Sequence, residues 1–471
     1  MAVEGSEMAM KPTVVLYPMS GIGHLLPMLE LAKLFHRHEF AVAVVIMHFP
    51  WKHPSVDAFI GRVSAAHPSI AFHRLPPPAD FRTSHEIIPM VLDGVRLNNP
   101  ELLRFLAAHR RENDVRAVVL DFLCTDALDV VSAELGLPAH FFISTGASAL
   151  ASFLYLPYLE STTDLSFSDL GDAPIHFPGV PPIPASDMSR EVMSRSSEVY
   201  NRFVKDVTRR LPDGDAFLVN SFESLEAEAV KALSEGACVP GRRLPPVYCI
   251  GPLIAEGSSG KDEAKAECMA WLDVQRRGSV VFLCFGSMGS FSTEQLEQIA
   301  VGLERSEQRF LWAVRAPKDA PSALNLEALL PEGFLERTKQ RGMVVKSWAP
   351  QVEVLNHEAV GCFVSHCGWN STLEAISAGV VIVAWPRYAE QRMNKVFLVE
   401  QMKLAVVMEG YDGDMVEAVE VESKVRWVME AEGGKELRER AAAAKEMAAA
   451  AWSQGGSSKQ AWLEVVKTLK N

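Results

Sequence analysis

His366, Gly368, Asn370 and Ser371 fall within "SHCGWNSTLE", where the apolar run "GCFVSH" stops and the helical pattern "STLEAISAG" begins. The run reads as a buried strand and the pattern as a helix ending at Gly379, so the four residues occupy a strand-to-helix turn. A helix start presents N–H groups without intrahelical partners and a partial positive charge, which suits a phosphate. Gly368 lets the backbone approach a ligand closely, Asn370 and Ser371 can donate from their side chains or cap the helix, and His366 can donate to a phosphate oxygen. An ordinary capped helix, with Ser371 as cap and His366 and Trp369 as packing residues, accounts for the same letters. The neighbourhood adds chemistry. Upstream, Trp348 in "SWAPQVEV" offers an indole that can stack a base for roughly 1 to 3 kcal/mol. Downstream, Glu390 and Gln391 in "WPRYAEQ" can take vicinal hydroxyls. Base, phosphate and sugar together describe a nucleotide sugar.

A second corner lies in "VVLYPMSGIGHLLPM", again strand, Gly-containing turn and helix. Its GxG lacks the third glycine of a dinucleotide fingerprint, and "AVAVVIMHFPW" carries no acid to hold a ribose, which argues against a nicotinamide oxidoreductase. The turn does offer His24 at a helix start, facing the expected cleft. Imidazole, with an ordinary pKa near 6.5, suits proton abstraction. Asp121 ends the run "VVLDF", where a carboxylate can fix the histidine tautomer. Asp126 reads as an N-terminal helix residue.

The elements that must position these corners are short aliphatic runs alternating with amphipathic helical patterns along 471 residues. Seven runs precede residue 252 ("TVVLYP", "AVAVVIM", "SIAFHRL", "RAVVLDF", "AHFFIS", "AFLVNS", "VYCIG") and six follow it ("VVFLCF", "RFLWAV", "MVVKSW", "GCFVSH", "VVIVAW", "LAVVM"). Near-continuous apolar strands alternating with helices predict parallel sheets covered on both faces, too many strands for one sheet, hence two α/β domains. "AEGSSGKDEAKAE", residues 255–267, reads as the linker, "APIHFPGVPPIPASDM" as a Pro-rich cover over a surface or cleft mouth, and "RAPKDAPSALNLEALLPEG" as a loop. A net charge of −13 argues against nucleic-acid or anionic-membrane binding. The seven cysteines form no CxxC or zinc pattern and read as reduced core thiols of a cytoplasmic protein. No apolar run is long enough for a spanning helix, and "MAVEGSEMAM" is not a signal-peptide pattern, which leaves the Asn370-Ser371-Thr372 sequon idle.

The whole span "WAPQVEVLNHEAVGCFVSHCGWNSTLEAISAGVVIVAWPRYAEQ", Trp348 to Gln391, resembles the signature box of plant UDP-dependent glycosyltransferases of family 1. The resemblance implies an α/β GT-B fold, two Rossmann-like doubly wound domains facing across a cleft: residues 1–252 for the acceptor, 253–455 for the UDP-sugar, and 456–471 a helix packing back on the first domain. It implies that Trp348, beside Ala349, stacks on uracil, that Gln351 bonds near uracil or ribose, and that Glu374 holds the ribose hydroxyls. His366, Gly368, Asn370 and Ser371 would bind the pyrophosphate, and Trp369, Glu390 and Gln391 the sugar. Ser287 in "FGSMGS" resembles an additional phosphate contact, or is a small residue in a tight turn. Ser144 or Thr145 in "FFISTGAS" would reach the sugar, and His24, oriented by Asp121, would be the general base of an inverting transfer that needs no metal and no cofactor beyond UDP-glucose as co-substrate.

Within the family, Trp369 and Gln391 go with glucose. Val381 stands where the family usually has Pro, and Arg387 replaces a usually apolar residue near the sugar contacts, so glucuronate, galactose or xylose as donor sugar stays open; C-glycoside formation is a separate open alternative. The resemblance favours a small lipophilic acceptor, a flavonoid or other plant phenolic, with Met19, Gly21, Ile22, Phe122, Met188 and Tyr388 as candidate pocket residues, each of which packing would explain as well. A monomer is expected. A nucleotide-sugar-binding protein without catalysis would keep the box but has no need of His24 and Asp121 together, and a hydrolase finds no GxSxG turn.

Overall fold

The computed structural model describes residues 11–49, 54–78, 86–255, 262–317 and 325–471. The N-terminal segment "MAVEGSEMAM", the end of "AVAVVIMHFPW", most of the Gly-Ser part of the expected linker and the middle of the "RAPKDAPSALNLEALLPEG" loop lie outside the described residues. In the first half the strands are β1 (Pro12–Tyr17), β2 (Ala41–Ile46), β3 (Ile70–Arg74), β4 (Asp114–Asp121), β5 (Ala139–Ile143), β6 (Pro174–Ile175), β7 (Ile183–Pro184), β8 (Ala216–Val219) and β9 (Val247–Cys249). In the second half they are β10 (Val280–Cys284), β11 (Arg309–Val314), β12 (Gly342–Lys346), β13 (Val360–Ser365), β14 (Val381–Ala384) and β15 (Ala405–Val407). Two parallel sheets result, ordered β3-β2-β1-β4-β5-β8-β9 and β12-β11-β10-β13-β14-β15. Each of the thirteen apolar runs supplies one of their strands.

These strands read as continuous apolar runs because both faces of each sheet are covered. Along β1, Val15 and Tyr17 enter one core cluster while Val14 and Leu16 enter another on the opposite face. The helix Ser457–Lys470 covers that second face: Trp462, Val465 and Leu469 are buried there, with the Trp462 ring 4.7 Å from Phe35. Val281 to Leu283 anchor a separate cluster in the second sheet. Val381 takes regular parallel pairing with Cys362, so valine here leaves strand β14 unbroken.

Two local expectations need correction, and a third is made specific. The helix after β13 starts at Trp369 with Gly368 as its N-cap, so Ser371 lies inside the first turn and does not cap it. Residues Asp262–Asp273 form a helix, so the linker is shorter than its polar composition suggests. The Pro-rich stretch contains the hairpin β6–β7 and docks on the second domain. Asp187 Oδ2 accepts from Lys395 Nζ at 2.5 Å, Tyr411 also donates to Asp187, and Arg392 donates to the Ser186 carbonyl at 2.9 Å. The seven cysteines are free, and no helix among the described residues is long and apolar enough to cross a membrane.

Candidate active site

In each sheet the chain winds outward in both directions from one pair of neighbours, β1 and β4 in the first, β10 and β13 in the second. Crevices open at the carboxyl ends of such pairs. His24 follows β1, Asp121 ends β4, Ser287 follows β10 and His366 follows β13, so all four sit at switch points.

His24 is the third residue of the helix Ile22–Arg37, which Gly21 precedes as N-cap. Its Nδ1 lies 2.9 Å from Asp121 Oδ2, with the imidazole 27% exposed and the carboxylate at 0%. A carboxylate only accepts, so Nδ1 carries the proton and Nε2 keeps the lone pair. Asp121 is held in turn by the Leu123 N–H, 3.0 Å from Oδ1. Ser144 Oγ stands 3.2 Å from the same His24 nitrogen, and the Phe122 ring stacks on the imidazole at 5.7 Å. Burial alone would push the His24 pKa down, but the Asp121 carboxylate and, from across the cleft, Glu390 outweigh it and hold it above the ordinary histidine value. Asp126 is turned away and paired with Arg210 at 2.8 Å.

On the facing wall, His366 is buried between two strand-end turns. A Cβ on either Gly286, which has φ +74, or Gly368 would lie 2.5 Å from its Nε2, so only glycine leaves room for the ring. Burial, with help from Arg315, lowers its pKa to about 4, and it is a neutral imidazole near pH 7. Its Nδ1 and the Thr145 hydroxyl are buried with no partner among the described residues. Asn370 Nδ2 donates across the cleft to the Gly23 carbonyl at 2.8 Å. Gln351 Nε2 donates to Ser371 Oγ at 2.8 Å and to Glu374 Oε2 at 2.6 Å, and burial raises the Glu374 pKa to about 7. Trp348 is half-buried after β12, next to buried Ala349, and Ser287 is half-buried beyond Gly286.

Trp369 turns its indole inward: at 3% exposure its Nε1 donates to the Asn220 carbonyl of the first domain at 2.7 Å. Its own N–H, at the first position of the helix, has no intrahelical partner. Gln391 is buried too, its Oε1 accepting from the Arg387 and Tyr388 N–H groups at 2.9 and 3.0 Å, while Glu390 accepts from Asn394 at 3.3 Å. Arg387 lies over the Phe291 ring at 4.2 Å and reaches the Ser290 carbonyl. Met19, Phe122 and Met188 are buried in one apolar cluster, with Gly21, Ile22 and Tyr388 half-buried. Sequence reasoning missed Asn220 and Glu226, a buried acid after β8. The bond to Asn220 uses a backbone carbonyl, which any residue supplies, so no side-chain signal exists for it.

A fold whose two switch points open on the same cleft is that of the GT-B transferases. A model of the family described as UDP-glucoronosyl and UDP-glucosyl transferase matches residues 245–442. The chain is 45% identical over 450 residues to UDP-glycosyltransferase 88B1 of Stevia rebaudiana, covering 95% of this chain and 96% of that one. It is 42% identical to a phloretin 2'-O-glucosyltransferase of Malus domestica, covering 98% and 100%. Among solved structures it is similar to a Polygonum tinctorium UDP-glucosyltransferase capable of glucosylating indoxyl, in complex with 3,4-dichloroaniline. The TM-score there is 0.89 at 37% identity, over 98% of this chain and 99% of that one. The chain therefore belongs to the UDP-glycosyltransferase family, and it is a glycosyltransferase.

Proposed function

We propose that this glycosyltransferase moves glucose from UDP-glucose to a hydroxyl of a small phenolic acceptor, with inversion and without a metal ion or other cofactor. The observation that carries the reading is the 2.8 Å bond from Asn370 to the Gly23 carbonyl. It ties the helix start suited to a pyrophosphate to the residue beside His24, so base and leaving group face each other. His24 Nε2 takes the acceptor proton as the oxygen attacks the anomeric carbon. The bond from that carbon to the UDP oxygen breaks with its electron pair leaving on UDP, and Asp121 stabilises the imidazolium. The start of the Trp369–Ala378 helix meets the growing negative charge, and His366, being neutral, contributes as a hydrogen-bond donor rather than a cation. Trp348 would stack the base, with Gln351 and Glu374 at the ribose. Ser287 would meet a phosphate, and Thr145, Glu390 and Gln391 would bind the sugar.

A neutral hexose is favoured because Arg387 is held over Phe291 and on the Ser290 carbonyl rather than standing free for a sugar carboxylate. A phenolic acceptor is supported by the relative named for phloretin and by the apolar surroundings of His24 at Phe122. The test is mass spectrometry of products from UDP-glucose, UDP-glucuronate, UDP-galactose and a phenolic panel, with a chelator present. Wild-type enzyme is expected to hexosylate from UDP-glucose, and His24→Ala to lose about 10² to 10⁴ in rate while still binding UDP. Product from UDP-glucuronate alone would overturn the donor, and an unchanged rate in His24→Ala would overturn the base.

A further inference from the structure

Two acidic side chains among the described residues have no solvent exposure, Asp121 and Glu226. The second has no part in the chemistry above. Glu226 precedes the helix Ala227–Ser234 but does not cap it. Its carboxylate crosses to the start of another helix, Ala147–Thr162, where Oε2 accepts from the Ala147 N–H and Oε1 from the Ser148 N–H, each at 2.9 Å, and the Ser221 hydroxyl also donates to it. Donors alone converge on it, the set a carboxylate needs. A helix start that faces the donor domain is thereby filled by the protein's own acid, unlike the Trp369–Ala378 helix start, which no side chain caps.

The same carboxylate forms the floor of a socket. A Cβ on Gly146 would lie 2.7 Å from Glu226 Oε1 and 2.8 Å from Trp369 Cη2 and Cζ2, so this turn is gripped between the two side chains. Trp369 is fastened by its bond to the Asn220 carbonyl, next in the chain to Ser221. Two residues back along the turn from Gly146, Ser144 stands 3.2 Å from His24 Nδ1. One buried acid thus fixes the turn that touches both the base and the first residue of the donor-side helix.

We propose that Glu226 is a positioning residue for glycosyl transfer: it sets the Ser144–Ser148 turn as the socket that seats Trp369 and fixes the donor corner against His24. This rests on the reading of His24 as base. Glutamine at 226 would aim an N–H at one of two backbone N–H groups and open the socket. The experiment measures kcat, donor KM and UDP affinity well below the melting temperature for Glu226→Gln, Glu226→Asp, Gly146→Ala and His24→Ala. A misplacement of about 1 Å costs roughly 10²-fold, and a kcat loss of that order is expected for Glu226→Gln, with UDP affinity kept and partial recovery in Glu226→Asp. Because both variants open one socket, Glu226→Gln combined with Trp369→Phe should lose little more than Glu226→Gln alone. A kcat within twofold of wild type in folded Glu226→Gln overturns the proposal. Gly146→Ala is read in the same way should Glu226→Gln not fold. An unchanged rate in His24→Ala would instead overturn the base reading, whatever the Glu226 variants do.

Discussion

His24 and His366 show how one residue type meets two environments in one cleft. His24 has a buried anion on one ring nitrogen and keeps a raised pKa, whereas His366 is walled in by backbone and glycines and is driven to about 4. The free base of His24 is lost as pH falls through a value above 6.5, so the acid limb of kcat/KM should lie above pH 6.5. Asp121→Asn removes the strongest raising influence and leaves burial to act, so the limb should move to lower pH while the maximum rate falls roughly 10²-fold or more. A pH–rate profile with an unmoved limb would exclude Asp121 as the partner that matters. Asp121 was legible in the sequence because a polar residue that closes an apolar strand has few places to go except the strand-end crevice, and His24 because it stands at the start of the helix that follows the first strand. The inward turn of Trp369 was not, since its partner is a main-chain oxygen from a distant strand.

Between residue and domain lie the strand-end turns, and the turns after β10 and β13 act together. Gly286 and Gly368 close on one imidazole, so the corner proposed for the phosphate is assembled from both. Gly368→Ala should leave the fold intact but push the His366 ring aside, weakening UDP binding roughly tenfold, about 1.4 kcal/mol, as titration calorimetry would read. Unchanged UDP affinity would mean that the ring does not serve the phosphate. At this scale the sequence was most readable for strands, because burial on both faces writes an uninterrupted apolar run. Helix starts were read less well: Ser371 had the right chemistry for a cap, yet the helix begins at Trp369 with Gly368 before it, and the indole lies at the domain contact. The hairpin β6–β7 is two residues per strand within a Pro-rich stretch, too short to leave any alternation.

Across the whole molecule the domains are joined by more than the chain. Trp369 reaches Asn220, Lys395 and Tyr411 reach Asp187, and Met393, Val396 and Phe397 of the second domain enter a core cluster of the first. None of these pairings leaves a pattern in either half alone, which is why two domains were legible and their contacts were not. Global stability should also carry the signature of buried neutral histidines. His140 and His366 have folded pKa values near 4, below the 6.5 of an unfolded chain. The unfolded state then binds more protons between those values, so stability falls as pH drops from about 6.5 to 4, on the order of 3 kcal/mol per histidine. Glu374, raised to about 7, acts in the opposite sense between about 7 and its ordinary 4.5, and offsets part of the loss. Melting temperatures measured from pH 7.5 to 5 should decline, and His140→Asn should flatten the decline; an equal slope in the variant would exclude His140 as a contributor.

The helix Ser457–Lys470 has a bearing on how the protein is made. It completes a core whose other members, Phe35 and Phe40 among them, belong to the opening part of the chain. During synthesis the first domain emerges with that apolar face bare and must wait through translation of the entire second domain before Trp462 arrives to cover it. The nascent first domain thus keeps an uncovered apolar face for as long as the second domain is being made.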